Sequence, residues 1–327
     1  MASFFKGKKV LVTGGAGFIG GHLVKRLLNE GAEVSSLVQY KEKINNVRLS
    51  AVWEKVNVIE ADIRNSDSLI AVKKLVPQII FHLAAFNHVG RSFTNVQECF
   101  DVNAKGTANL LDVYDDYERF VYTSTSEVYG LQTGVPFVES MTPNPSSPYS
   151  VTKYSGELYA KMKQRMNNLP IAVIRPFNVF GPYQSPSAVI PDLIIKALKG
   201  ERISTTKGEQ TREFNFVENT IDGFLLAAEK KEAIGEVINI GAGEEISIAD
   251  LVKKIAKYSN SKSELGIGDI EYRPNEIWRM YADSSKAKKL LGWTPKVSFD
   301  EGLKKTIEWF KDYADEFEKK NSKLNSL

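Results

Sequence analysis

The segment KVLVTGGAGFIG (residues 9–20) constrains this chain more than any other. A β-branched run leads into Gly14, Gly17 and Gly20, spaced three apart, and an apolar-periodic segment follows. A chain that leaves a buried strand, turns sharply and starts a helix within so few residues needs positions without a Cβ. Gly14 is expected to make the turn, Gly17 to let backbone approach a ligand, and Gly20 to let the helix lie close against the strand. The helix would then point its free N–H groups at a diphosphate. Strand, glycine turn and helix together form the dinucleotide-binding fingerprint, with a purely structural glycine turn as the alternative.

The pattern then repeats. Strand-like runs stand at 33–38, 56–63, 77–85, 119–126 and 171–181, and helical segments at 22–31, 66–76, 94–116 and from Tyr149 to Asn167. This alternation predicts an α/β fold, a Rossmann-type doubly wound parallel sheet of six or seven strands. Beyond residue 181 short helices and strands mix, with one more strand in VINIGAG (237–243) and a final helix near 300–312. We divide the chain into a dinucleotide-binding domain (1–180), a smaller mixed α/β lobe interleaved with it (181–314), and a charged, loose C-terminal tail (315–327).

Charge and composition narrow the partners. Lys and Arg number 43 against 40 Asp and Glu, spread along the chain, so no basic stripe argues for nucleic acid. The apolar runs are of strand length, and the opening MASFFKGKKV is too short and charged for a signal peptide, so no membrane association is expected. Cys99 is the single cysteine and the histidines number three, which excludes an internal disulfide and gives no metal-ligand spacing. A cytoplasmic protein acting on a small molecule is expected.

The end of the second strand lacks the acidic residue that would hold an adenosine ribose: Val38, Gln39 and Tyr40 stand there. Lys41 or Arg48 would suit a 2′-phosphate, which tilts the reading from NAD slightly towards NADP, the alternative being that both are ordinary solvated cations. Asp62 and Ile63 are placed to contact adenine, although an acid there also caps helices. Ser124, Thr125, Ser126 and Glu127 end a strand, and Tyr149 and Lys153 begin a helix on one face. An ammonium beside a phenol lowers the phenol pKa and makes a tyrosinate base; a surface pair is the bland alternative. His88 reads as a hydrogen-bonded loop residue.

Five segments, TGGAGFIGGH (13–22), FHLAA (81–85), STSEVYG (124–130), YSVTK (149–153) and RPFNVFGP (175–182), together resemble the extended short-chain dehydrogenase/reductase family over nearly the whole chain. The resemblance implies NAD or NADP, tightly bound and recycled, held by Gly14, Gly17, Phe18, Ile19, Gly20, Asp62, Ile63, Leu83, Ala84, Ala85, Tyr149 and Lys153. It implies a nucleotide-diphosphate sugar between the lobes, with Asn178, Arg212 and Arg273 on the substrate. A homodimer is also implied, through a four-helix bundle built from 94–116 and 149–167.

Within that family Thr125, Ser126 and Glu127 resemble the catalytic trio of 4,6-dehydratases, Ser126 standing where others carry Asp. The sequence is most similar to N-acetylglucosamine-nucleotide 4,6-dehydratases of legionaminic acid pathways. This implies Tyr149 as base for the 4-hydroxyl, Lys153 lowering its pKa, Thr125 on the C4 oxygen, and Glu127 as base at C5. The alternatives are a 4-epimerase or a UDP-glucuronate decarboxylase on the same scaffold, or a catalytically silent NAD(P)-binding protein.

Overall fold

A computed structural model describes residues 3–39, 47–132, 134–272 and 276–325, with side chains of the last helix described through Tyr313. Lys41 and Arg273 lie outside the described residues. The strands are β1 (Lys9–Thr13), β2 (Glu33–Val38), β3 (Asn57–Glu60), β4 (Ile79–His82), β5 (Arg119–Thr123), β6 (Ile171–Pro176), β7 (Val179–Phe180), β8 (Ile203–Thr205), β9 (Thr211–Glu213), β10 (Asn215–Phe216), β11 (Val237–Ile240), β12 (Glu245–Ser247) and β13 (Leu265–Ile267). Seven of them form one sheet in the order β11-β6-β5-β4-β1-β2-β3, all pairs parallel.

Both faces of that sheet are covered, which is why its strands read as unbroken apolar runs. Val10, Val12, Ile79, Phe81, Val121, Ala172 and Ile174 enter one core. Their neighbours Leu11, Ile80, Phe120, Tyr122, Ile171 and Val173 enter the core on the other face. The order reverses between β1 and β4, and the ends of those strands open the crevice where an open α/β sheet binds ligands.

The seventh strand, β11, comes from beyond residue 181, and the helix Val217–Glu229 also packs in the core on one face of the sheet. The smaller lobe is therefore threaded into the larger one, and its own pairs are short: β7 with β10, β8 with β13, β9 with β12. The segment expected as a loose tail is helical for most of its length, because the last helix runs Phe299–Asn325. Composition hid this: Leu303, Ile307 and Phe310 anchor the first turns in the core, and the charged remainder continues the same helix.

Candidate active site

The first helix begins at Phe18, directly after the turn, four residues earlier than its apolar periodicity suggested. Gly17 is its N-cap, no side chain caps the free N–H groups, and the first turn carries no acid. Gly14 has φ +69°, and a Cβ there would stand 2.8 Å from Ala84 N. A Cβ on Gly20 would stand 2.1 Å from the Gly14 carbonyl oxygen, so helix and turn touch backbone to backbone. An uncapped helix N-terminus behind a turn with no room for side chains fits a dinucleotide diphosphate. Phe18 and Ile19 are half-buried and pack on the core beneath.

The opposite wall is Leu83, Ala84 and Ala85, and a directed hydrogen-bond chain fixes it. Ala84 N donates to Thr13 Oγ1 (3.1 Å), and Thr13 Oγ1 lies 2.7 Å from His82 Nδ1. His82 Nε2 lies 3.0 Å from Thr107 Oγ1, which donates to the Asn103 carbonyl at 2.6 Å. Since Thr107 gives its proton away, the chain assigns the imidazole proton to Nε2 and leaves Nδ1 to accept from Thr13. Burial pushes His82 down to about 3, which keeps it neutral. Asn103 closes the loop by bonding both N and O of Phe86, at 2.8 and 3.1 Å.

Asp62 is gripped by Arg64, with Nε 3.0 and 2.9 Å from its two oxygens, and this pair holds its carboxyl below the usual range. The carboxylate remains about one-third exposed. Ile63 is buried, fills the space opposite Gly106 and accepts a hydrogen bond from Asn109 Nδ2 on its carbonyl, so its side chain belongs to the core. Arg48 Nε donates to the Tyr183 carbonyl at 3.0 Å.

Reaction chemistry collects where β5 ends. Thr125 caps the short turn Ser126–Val128, its hydroxyl accepting from Glu127 N at 3.2 Å. Tyr149 and Lys153 sit in the first turns of the helix Pro148–Asn167, which starts one residue before Tyr149 because Ser147 and Ser150 form a capping box and Pro148 suits the first helical position. Burial pushes the Tyr149 phenol up to about 12, a hydrogen bond with Thr125 opposing and the Glu127 charge adding. Lys153, 2% exposed, is pushed down to about 7 by burial, against the field of Glu157. In the protein alone, burial is thus the largest influence on the phenol, and its direction is upward. Glu127 is raised by burial and drawn back by Arg212.

Arg212 binds the Thr211 carbonyl through Nη1 (2.8 Å) and Glu276 through Nη2 (2.7 Å). Asn178 donates from Nδ2 to the Glu213 carbonyl at 3.0 Å, tying the end of β6 to β9. Ser126 touches Met280, its hydroxyl 3.9 Å from the thioether sulfur. His88 caps the turn Val89–Ser92, accepting from Arg91 N.

Sequence reading missed the support beneath this site. Glu157, one turn past Lys153, pairs with Arg175 at 2.6 and 3.0 Å and accepts from Ser124 Oγ at 2.6 Å. One arginine in the apolar strand IAVIRP was the signal, since a buried charge needs a buried partner. Glu276, three residues after Arg273, was the other omission.

The family model described as GDP-mannose 4,6 dehydratase matches residues 11–306. This chain is an extended short-chain dehydrogenase/reductase of the nucleotide-sugar epimerase/dehydratase group. It is 34% identical over 321 residues to human dTDP-D-glucose 4,6-dehydratase, covering 93% of this chain and 90% of that one. It is also 34% identical to a putative UDP-glucose 4-epimerase of Methanocaldococcus jannaschii, covering 93% and 98%. Among solved structures, the dTDP-glucose 4,6-dehydratase of Streptomyces venezuelae, solved with NAD bound, superposes with a TM-score of 0.87 at 29% identity, over 95% of this chain and 99% of that one. Like its relatives, this dehydrogenase/reductase presents a seven-stranded Rossmann sheet; among its described residues no helix is long and apolar enough to cross a membrane, and no cluster of metal-ligating side chains occurs.

Proposed function

We propose that this enzyme is a nucleotide-diphosphate-sugar 4,6-dehydratase. The observation that carries the reading is Glu127, a largely buried carboxylate whose backbone N–H is fixed by the Thr125 hydroxyl and whose charge acts on the Tyr149 phenol. Removing a C5 proton requires such a base, and only a 4-keto group makes that proton acidic enough to take.

Gly14, Gly17 and Gly20 would hold a nicotinamide dinucleotide against the wall at Leu83–Ala85, with Phe18, Ile19, Asp62, Ile63, Tyr149 and Lys153 along it. There it would supply a reversible hydride acceptor, taking hydride from C4 and restoring it at C6. NAD is favoured over NADP, because Arg48 is engaged with the Tyr183 carbonyl and the Streptomyces relative was solved with NAD.

Tyr149 takes the proton of the 4-hydroxyl at its phenolic oxygen, and Thr125 hydrogen-bonds the C4 oxygen. Lys153, charged below about pH 7, stabilises the phenolate that accepts this proton. Glu127 then takes the C5 proton and delivers it to the departing 6-hydroxyl, which leaves as water; once C6 is reduced, the same carboxyl, reprotonated from solvent, returns a proton to C5 while Tyr149 releases the 4-hydroxyl proton to solvent. Ser126 has no acidic proton to give, so one carboxyl serves as base and acid in turn. Arg212, with Arg273 and Asn178, would hold the substrate diphosphate and sugar, an arginine fork suiting phosphate oxygens.

A C4 epimerase is the second reading, favoured by Ser126 in the acid's place and by the archaeal relative. Mass spectrometry after incubation with UDP-, GDP-, CDP- and dTDP-hexoses, N-acetylglucosamine forms included, separates them. Loss of one water supports the dehydratase; unchanged mass with inverted stereochemistry at C4 supports the epimerase.

We also propose a cytoplasmic homodimer. Phe93 in a turn, Val96 and Phe100 on the helix that follows it, and Val151, Leu158 and Met166 on the helix Pro148–Asn167 are 38% to 77% exposed. Two such faces from each of two copies would bury one another as a four-helix bundle.

A further inference from the structure

The segment 276–280 runs parallel to β9, because Thr211 N and Glu213 N donate to the carbonyls of Trp278 and Met280 at 2.8 and 2.9 Å. Along it Glu276 meets Arg212, Met280 enters the core beneath Ser126, and Arg279 is bonded to Glu245. Trp278 falls between Glu276 and Met280, its carbonyl bonded to the residue before Arg212, and it is 52% exposed. Its ring is tilted against Tyr272, centroids 4.9 Å apart, and the Tyr272 hydroxyl is anchored by Glu209 N at 3.1 Å.

We propose that Trp278, braced by Tyr272, is the stacking platform for the nucleobase of the substrate. A large indole left half in water, on a segment bonded to the strand that carries an arginine suited to a diphosphate, offers a free π-face near that charge. The anion on Arg212 fixes the nucleotide, and the flat base covers the exposed ring. This rests on the reading of the substrate as a nucleotide sugar.

Isothermal titration of the full-length protein with UDP, GDP, CDP and dTDP, and separately with inorganic pyrophosphate, tests it. Trp278→Ala is expected to weaken the best-bound nucleoside diphosphate roughly 5- to 150-fold, the span of one base on one aromatic side chain, and to leave pyrophosphate unchanged. Trp278→Phe should keep most of the affinity, and KM for the nucleotide sugar should rise in the alanine variant at unchanged kcat. Unaltered nucleotide binding in Trp278→Ala overturns the platform and leaves the dehydratase reading standing. Equal loss of pyrophosphate and nucleotide also overturns it, since Trp278 would then only support Arg212. If the unmodified protein binds none of the four nucleotides, the substrate reading itself fails and the platform with it.

Discussion

Ser124 and Glu157, 33 residues apart in sequence, share a 2.6 Å hydrogen bond in the dry interior beneath Thr125, Ser126 and Glu127. The same carboxylate binds the Arg175 guanidinium, with neither side chain more than 3% exposed. It joins the end of β5 to the helix bearing Tyr149 and Lys153 and to β6. Glu157→Gln leaves a buried guanidinium without its charge partner, and a loss of about 3–5 kcal/mol is expected. Urea denaturation measures it; pairing Glu157→Leu with Arg175→Met should cost less than either change alone.

Gly20→Ala places a methyl group 2.1 Å from the Gly14 carbonyl oxygen, where only backbone can yield. The helix would be pushed off the turn that its N-terminus completes. Binding of NAD, followed by titration, is expected to fall by more than tenfold, about 1.4 kcal/mol or more. Gly200→Ala, where a Cβ meets nothing within 4 Å, is the comparison: its φ of +72° strains the chain without touching the site.

Glu127 works as a base only when ionised, and burial raises its pKa while Arg212 lowers it. The acidic limb of kcat against pH should therefore lie above the ordinary carboxylate range. Arg212→Met should move that limb to still higher pH. Glu127→Gln should abolish loss of water while bound cofactor becomes reduced, seen as absorbance near that of a dihydronicotinamide. On the proposed mechanism, oxidation at C4 uses Tyr149 and not Glu127.

Lys153 titrates near 7 in the fold and at its ordinary value near 10.5 when unfolded. Between those values the unfolded chain binds the extra proton, so stability rises with pH across that window. Below about pH 7 the burial of the charged form is a constant penalty. Tyr149, raised to about 12, adds stability that persists below 10 and is lost as pH climbs through 12. Thermal unfolding without cofactor should show Tm increasing from pH 7 to 9, and Lys153→Met should flatten that rise.

Phe100→Glu puts a charge on the exposed apolar face of the first helical segment. If that face is the dimer contact, sedimentation should show monomers for this variant and dimers for the unmodified chain. A dimer that survives both Phe100→Glu and Leu158→Glu would place the contact elsewhere.

The sheet and the glycine turn were legible because their causes are local. A short unbroken apolar run between turn signals specifies a buried parallel strand, and Gly14, Gly17 and Gly20 answer to steric limits within a few residues. Tyr149 and Lys153 were legible for the same reason, since helical geometry alone puts residues four apart on one face. The partners of Glu157, the pairing of Arg212 with Glu276, the setting of Trp278 and the helical end of the chain were decided only by the tertiary structure. Each depends on two segments meeting that no periodicity links. The direction of the Tyr149 shift belongs with them, because how far a phenol is dried depends on everything packed around it, and burial is the largest cause of the rise.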